Sequence, residues 1–305
     1  MKKGLIFLCI VAVGAVFFIK YTSQTTKKVG VYCSQDGTLS ETSSIQSERS
    51  YCVKSESKSA GFSATTPSAY SFSIIDEKGN ILKNFAITHT KPMHVIVARK
   101  DLAYFQHVHP EYDEATGVFS FKDLIFPTEG EYRIFADFAP NSGQKDSMGT
   151  ALPVTVYEDV AVGDLSHYVK DSLGTEEKTK TFEGVEVTLN THGVLLSGSE
   201  SMIMFSLSDK GKPVTDLEPY LGALGHAVVL RENTLDFIHA HPSEDLNAKQ
   251  TGTVDFMVNF PEAGMYKVFT QFQRGGKIIT TNFVVKVTQG ASGSEMDISM
   301  PGMKH

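Results

Sequence analysis

Six histidines stand in two sets of identical spacing, and imidazole is the side chain best suited to ligate a transition metal at neutral pH. In the first set His94 is followed by His107 and His109, and in the second His226 is followed by His239 and His241. The offsets are 13 and 15 residues in both, and Pro110 or Pro242 follows each set. Side chains at i and i+2 of a strand share a face, so each His-x-His pair points one way. A tight hairpin at Lys100-Asp101 would set His94 opposite His107, and one at Glu232-Asn233 would set His226 opposite His239. Directly opposed residues have Cβ atoms ~5 Å apart and diagonal ones ~7–8 Å. Three imidazoles so placed can surround one ion at bonds of ~2.0–2.1 Å. Water, or Met93, Asp137 or Gln271, is the candidate for a fourth position. Such a site suits Cu(II) or Zn(II), with copper the first expectation and zinc the alternative.

A single His-x-His on a strand is more often a surface or hydrogen-bonded pair than a metal site. Two copies, each with an upstream histidine at the same offset, favour metal. Phe105 and Phe237 share the histidine face, which also fits plain histidines at a core edge. His89, His167 and His192 have no counterpart in the other repeat and read as incidental. A further group closes the chain, where Met296, Met300, Met303 and His305 follow a Gly/Ser connector with no core to fill. Soft thioethers select Cu(I). A tail with accidental methionines is the bland alternative.

The elements that must position these residues also repeat. Phe126-Pro-Thr-Glu-Gly-Glu-Tyr132 aligns with Phe260-Pro-Glu-Ala-Gly-Met-Tyr266, and residues 71–76 align with 204–209. Self-similarity at this scale signals duplicated structural units. Short alternating or apolar runs at 71–75, 94–99, 102–109, 132–138 and 152–157 are separated by Gly, Pro, Asn and Asp, and the second half repeats the pattern. The expected fold class is all-β: two tandem immunoglobulin- or cupredoxin-like β-sandwiches. The modules are placed at 67–158 and 181–288, with a polar linker at 159–180 that has helical character around 164–172. A Ser/Thr-rich stalk spans 21–66, and the tail spans 289–305. The Gly-x-Tyr element resembles the tyrosine corner of immunoglobulin-like folds, with Ile134 and Val268 where antibody domains place a cysteine.

The composition is globular, with 41% hydrophobic and 21% charged residues. A net charge of -7 without a concentrated basic patch argues against nucleic acid as a partner. Lys2 and Lys3 precede an apolar run at 4–19 that reads as an export signal or a single membrane anchor, with the uncleaved anchor favoured. The modules are then expected on the extracytoplasmic side of a cell membrane, or secreted if the signal is cut. Export makes a Cys33–Cys52 disulfide the favoured pairing over a thiolate metal site.

The Met/His tail resembles the Met/His-rich segments of exported bacterial copper-handling proteins. The tandem sandwiches loosely resemble exported cupredoxin- or immunoglobulin-like metal carriers, including the CopC-type periplasmic copper carriers. That pattern includes a mature N-terminal histidine ligand, which this chain lacks. The blue-copper combination of Cys with two His is missing from both modules. What the resemblance implies is a copper carrier, buffer or sensor with a copper-transport partner protein, and not an enzyme. Two other readings compete: a structural or adhesion protein with packing histidines, and a metalloenzyme using the open position. Neither a helix-borne His-Glu-x-x-His nor a Gly-x-Ser-x-Gly is present to support catalysis. The sequence leaves open whether each module holds its own ion or the two clusters face one another.

Overall fold

The computed structural model describes residues 30–33, 39–42, 51–55, 61–242 and 248–290, without the side chains of 30–33, 39–42, His241, 248 and 249. The expected anchor at 1–20 and the tail ligands Met296, Met300, Met303 and His305 lie outside the described residues. Among the described residues no helix is long and apolar enough to cross a membrane.

Two short strands, β1 (Gly30–Cys33) and β2 (Leu39–Thr42), pair as an antiparallel hairpin. The first module begins with β3 (Tyr51–Ser55), β4 (Ser68–Asp76), β5 (Phe85–Ala86), β6 (His94–Arg99) and β7 (Phe105–Val108). It continues with β8 (Glu111–Asp113), β9 (Val118–Leu124), β10 (Gly130–Pro140) and β11 (Val154–Val162). One sheet runs β3-β4-β9-β8 and the other β11-β10-β6-β7, with the short β5 beside β10. The second module begins with β12 (Thr179–Phe182), β13 (Val185–Thr191), β14 (Leu195–Leu196), β15 (Glu200–Asp209), β16 (Lys212–Pro213) and β17 (Leu217–Glu218). After these come β18 (His226–Arg231), β19 (Phe237–Pro242), β20 (Thr253–Asn259), β21 (Gly264–Arg274) and β22 (Lys277–Thr288). Here β19 is long enough to serve both layers: it pairs with β18 and, through His241 and Pro242, with β20. The chain is therefore all-β and sandwich-like in both halves.

Two expectations about boundaries need correction. Residues 51–55, placed in the stalk, form the edge strand β3, whose Tyr51, Cys52 and Val53 are buried. The stretch at 164–172 holds only a 3₁₀ turn, Leu165–His167, capped by Asp164 accepting from the Ser166 amide. The remainder is pinned to the first module. The Asp171 amide and the Tyr168 hydroxyl donate to Asp101, which is itself ion-paired with the buried Arg99.

Each module has its own core. Tyr132, Ile134, Ala136 and Phe138 of β10 face inward with Val95 and Val97 of β6, and Tyr266, Val268 and Phe272 of β21 do the same with Ala227 and Val229 of β18. The tyrosine corners form as expected, with the Tyr132 hydroxyl donating to the Thr128 carbonyl at 2.8 Å and Tyr266 to Glu262 at 2.7 Å.

Alternate residues on the same strands build a third cluster. Ile96, Ala98, Leu102 and Phe135 of the first module meet Val228, Leu230, Leu235 and Phe269 of the second, with Leu173 of the linker between them. The β11-β10-β6-β7 sheet thus lies face to face with the β19-β18-β21-β22 layer. Contacts are reciprocal under a pseudo-twofold relation. Phe105 stacks on Phe269 at 4.4 Å between ring centroids, and its repeat equivalent Phe237 packs on Phe135 at 5.2 Å. Two copies of one surface that bury the same patch on each other form an isologous interface.

Candidate metal centre

His94 and His226 open β6 and β18 on the interface face, in register with Ile96 and Val228, and both are buried, at 3% and 5% exposure. The hairpin that follows differs from the expected one. Ile96 pairs with His107 and Val228 with His239, a shift of two residues from the predicted register. The turn is a four-residue loop centred one residue later, in which Arg99 accepts from Leu102 and donates to Tyr104. The loop holds Leu102 at φ 61°, and the loop of the second copy holds Asn233 at φ 68° and Leu235 at φ 56°. A two-residue slip preserves the face of every side chain, because the strand period is two. The histidines consequently still converge, with His94 diagonal to His107.

In the first cluster His94 Nδ1 lies 3.1 Å from His107 Nε2 and 3.1 Å from His109 Nε2. The far nitrogens fix the tautomers. His94 Nε2 sits 2.9 Å from the Thr88 carbonyl and His107 Nδ1 sits 2.9 Å from Gln271 Oε1, whose amide nitrogen donates to Thr280. Carbonyl oxygens only accept, so both far nitrogens carry the hydrogen. In neutral rings the facing His94 and His107 nitrogens are then two lone pairs 3.1 Å apart. That contact is no hydrogen bond unless a proton or a cation sits between them. Burial pushes the proton off. It lowers His94, takes His107 well below the usual imidazole range with help from His109 and His94, and lowers His109 to about 4. An ion ~2.0–2.1 Å from each nitrogen needs neighbours roughly 3.3 Å apart, close to the observed spacing.

The second cluster brings in a histidine outside the expected sets. His226 and His239 lie with His89, the three offering ring nitrogens within 4.8 Å of one another. By sequence His89 has no counterpart in the other repeat, where Leu221 stands five residues before His226. It precedes β6 on the same kind of turn, and repeat comparison alone could not reveal it. His241 is in β19, and its side chain is outside the described residues. Here too the outer nitrogens are held: His226 Nε2 at 2.7 Å from the Tyr220 carbonyl, and His239 Nδ1 at 2.8 Å from Asp137 Oδ2.

Met93, Asp137 and Gln271 do not take the fourth position proposed for them. Met93 is packed in the first core, at 1% exposure. Asp137 and Gln271, equivalent positions on β10 and β21, each orient the histidine of the opposite module. Such outer partners fix ring orientation and raise ligand basicity. The Asp137 carboxylate is buried, which alone would raise its pKa, yet hydrogen bonds from His239 and Thr155 keep it below the ordinary range. The two clusters adjoin, with His107 and His226 ring centroids 6.4 Å apart and His89 and His94 5.7 Å apart. They share a narrow crevice between the modules, walled by Ile96, Ala227, Val228 and Phe237.

Solved structures to which the chain is similar include distant ones. A DUF4426 family protein from Pseudomonas aeruginosa PAO1 is 14% identical at a TM-score of 0.27, covering 36% of this chain and 96% of that one. The fibronectin(III)-like modules of Clostridium thermocellum CbhA are 11% identical at a TM-score of 0.20, covering 83% of this chain and 100% of that one. Escherichia coli alpha-2-macroglobulin activated by porcine elastase is 12% identical at 0.26, covering 82% and 24%. Scores this low support no functional argument. No curated protein matches. One family does match, over residues 48–156 and again over 179–289, which coincide with the two sandwiches and begin at β3. The chain belongs to the family described as Domain of unknown function (DUF8832), and it carries that domain twice.

Proposed function

We propose that the paired modules form a transition-metal-binding unit, copper first and zinc as the alternative, that acts at the cell envelope as a carrier, buffer or sensor rather than an enzyme. The observation that carries this reading is the facing lone pairs of His94 and His107, with His109 at the same nitrogen and the outer nitrogens committed to carbonyl oxygens. Buried imidazoles held neutral and aimed at one point are suited to ligate a metal cation. Neutral nitrogen donors without thiolate suit Cu or Zn. The crevice is narrow and carries His94, His107, Asp137, His226 and His239 among its apolar residues, which suits a small bound cation better than a bulky substrate.

Metal at both clusters would add to the apolar interface that holds the modules together. The apolar run at 4–19 fits a membrane anchor, and Met296, Met300, Met303 and His305 fit capture or hand-over of Cu(I) to a copper-transport partner. A Cys33–Cys52 bridge fits the same compartment. Its support is that Cys52 is buried and that β1, which carries Cys33, packs beside β3.

The test is elemental analysis after copper or zinc loading of the protein and of a variant with His107, His109, His239 and His241 replaced by Ala. Loss of about two tightly bound equivalents is expected, from two clusters with one ion each. Unchanged loading would remove the modules from the reading and leave only the tail.

A further inference from the structure

We propose that His89 is a metal ligand lent by the first module to the second. The second cluster is then an inter-module site, formed only when the sandwiches are docked, while the first is complete within its own module. This inference rests on the metal reading above and names what the second site requires.

The geometry is asymmetric in a molecule otherwise close to symmetric. The turn at Thr88–Lys91 closes with paired hydrogen bonds, 3.0 Å each way, and the turn at Tyr220–Ala223 closes with the same pair at 2.8 and 3.1 Å. The first residue of each turn presents its carbonyl to the following β-strand histidine, Thr88 to His94 and Tyr220 to His226. The second residue of each is left-handed, His89 at φ 46° and Leu221 at φ 51°. The two turns meet, since a Cβ on Gly222 would lie 3.8 Å from the Thr90 methyl. Identical backbone thus displays an imidazole on one side and an isobutyl group on the other.

His89 does not turn back to its own module's trio for a third nitrogen. Its ring centroid is 5.0 Å from His226 and 5.2 Å from His239, and the three rings offer nitrogens within 4.8 Å of one another. The Asp137 carboxylate, also from the first module, stands behind His239, where the first cluster has only the neutral Gln271 amide. A divalent cation at the second cluster therefore has one more contribution from across the interface, and a negative charge to offset part of its own. Two elements of the first module, the His89 turn and β10, would grip an ion seated on the second. Occupancy of that site and docking of the modules are then linked, since an ion that binds only the docked form favours it by mass action.

The probe is Co(II), followed by its visible absorption and by zinc competition, on the full chain. Wild type is expected to take two tight equivalents. His89→Leu, which places at this turn the residue its twin already carries, is expected to weaken one equivalent more than tenfold and leave the other unchanged. His89→Asn serves as a second variant, because asparagine tolerates left-handed backbone, and the same loss is expected. The double variant His89→Leu with Leu221→His should move the additional ligand to the first cluster and shift the absorption spectrum of that site. Two unaltered equivalents in both single variants would overturn the inference while leaving the metal reading intact. A wild-type chain that takes up no cobalt, zinc or copper in the modules would overturn both.

Discussion

At the residue scale, the second partners of the imidazoles decide the chemistry. Asp137 and Gln271 occupy equivalent places and perform equivalent tasks, but one is an anion. Outer-shell changes of this kind alter metal affinity roughly 10–100-fold. Asp137→Asn is therefore expected to weaken the His226/His239 site by that factor and spare the His94 site, as read by chelator competition. Equal weakening of both sites would contradict the assignment. Protons probe the same groups. Burial lowers His94, His107 and His109 from their unfolded value near 6.5. Between the two values the unfolded chain binds more protons than the folded one, so stability rises with pH there. This contribution is whole above about pH 6.5 and drains away as pH falls toward the His109 value of about 4. The metal-free protein should accordingly lose melting temperature steadily across that interval, and a His107→Gln, His109→Gln variant should lose less. A flat wild-type profile would count against the burial argument.

At the element scale, the strands carry two jobs on alternate faces. Inward residues of β10 and β21 make each sandwich, and outward residues make the interface and hold the rings. Changes on one face should leave the other intact. Tyr266→Phe removes the corner hydrogen bond to Glu262 and should cost ~1–2 kcal/mol in denaturant unfolding with metal stoichiometry unchanged. Arg99→Ala strands the buried Asp101 carboxylate, which also receives Tyr168 and the Asp171 amide. Removing one partner of a buried pair costs ~3 kcal/mol or more, and the linker should become sensitive to proteolysis. A protected linker in that variant would show that Asp101 is not its anchor.

At the scale of the whole molecule, the sandwiches are held by one shared apolar face and by side chains exchanged across it. Phe105 on Phe269 and Phe237 on Phe135 are reciprocal ring contacts across it. Replacing Phe269 and Phe237 by Ala should cost ~3 kcal/mol or more for each ring, with the interface, not the two cores, taking the loss. Small-angle scattering should then report a larger radius of gyration, and the second cluster should lose metal before the first. A compact double variant would mean that the interface is sustained by other contacts.

Much of this was legible in the chain. Period-two patterning and the repeat marked two all-β sandwiches, the Gly-x-Tyr element marked their corners, and equal spacing marked His94, His107, His109, His226 and His239. Even the register error was harmless, because slipping by two residues moves a side chain along a face and never through the sheet. The interface left a trace as well: Val95 to Ala98 and Ala227 to Leu230 are apolar on both faces, as strands covered on both sides must be. What covered the second face was not legible, since nothing local distinguishes one apolar partner from another. The role of His89 was hidden for the same reason. Its significance lies in a contact 137 residues away with His226, on a surface that exists only once both modules have folded and met. Spacing within the chain fixes which groups share a strand face. Which face of which module they meet is set by packing of the assembled whole.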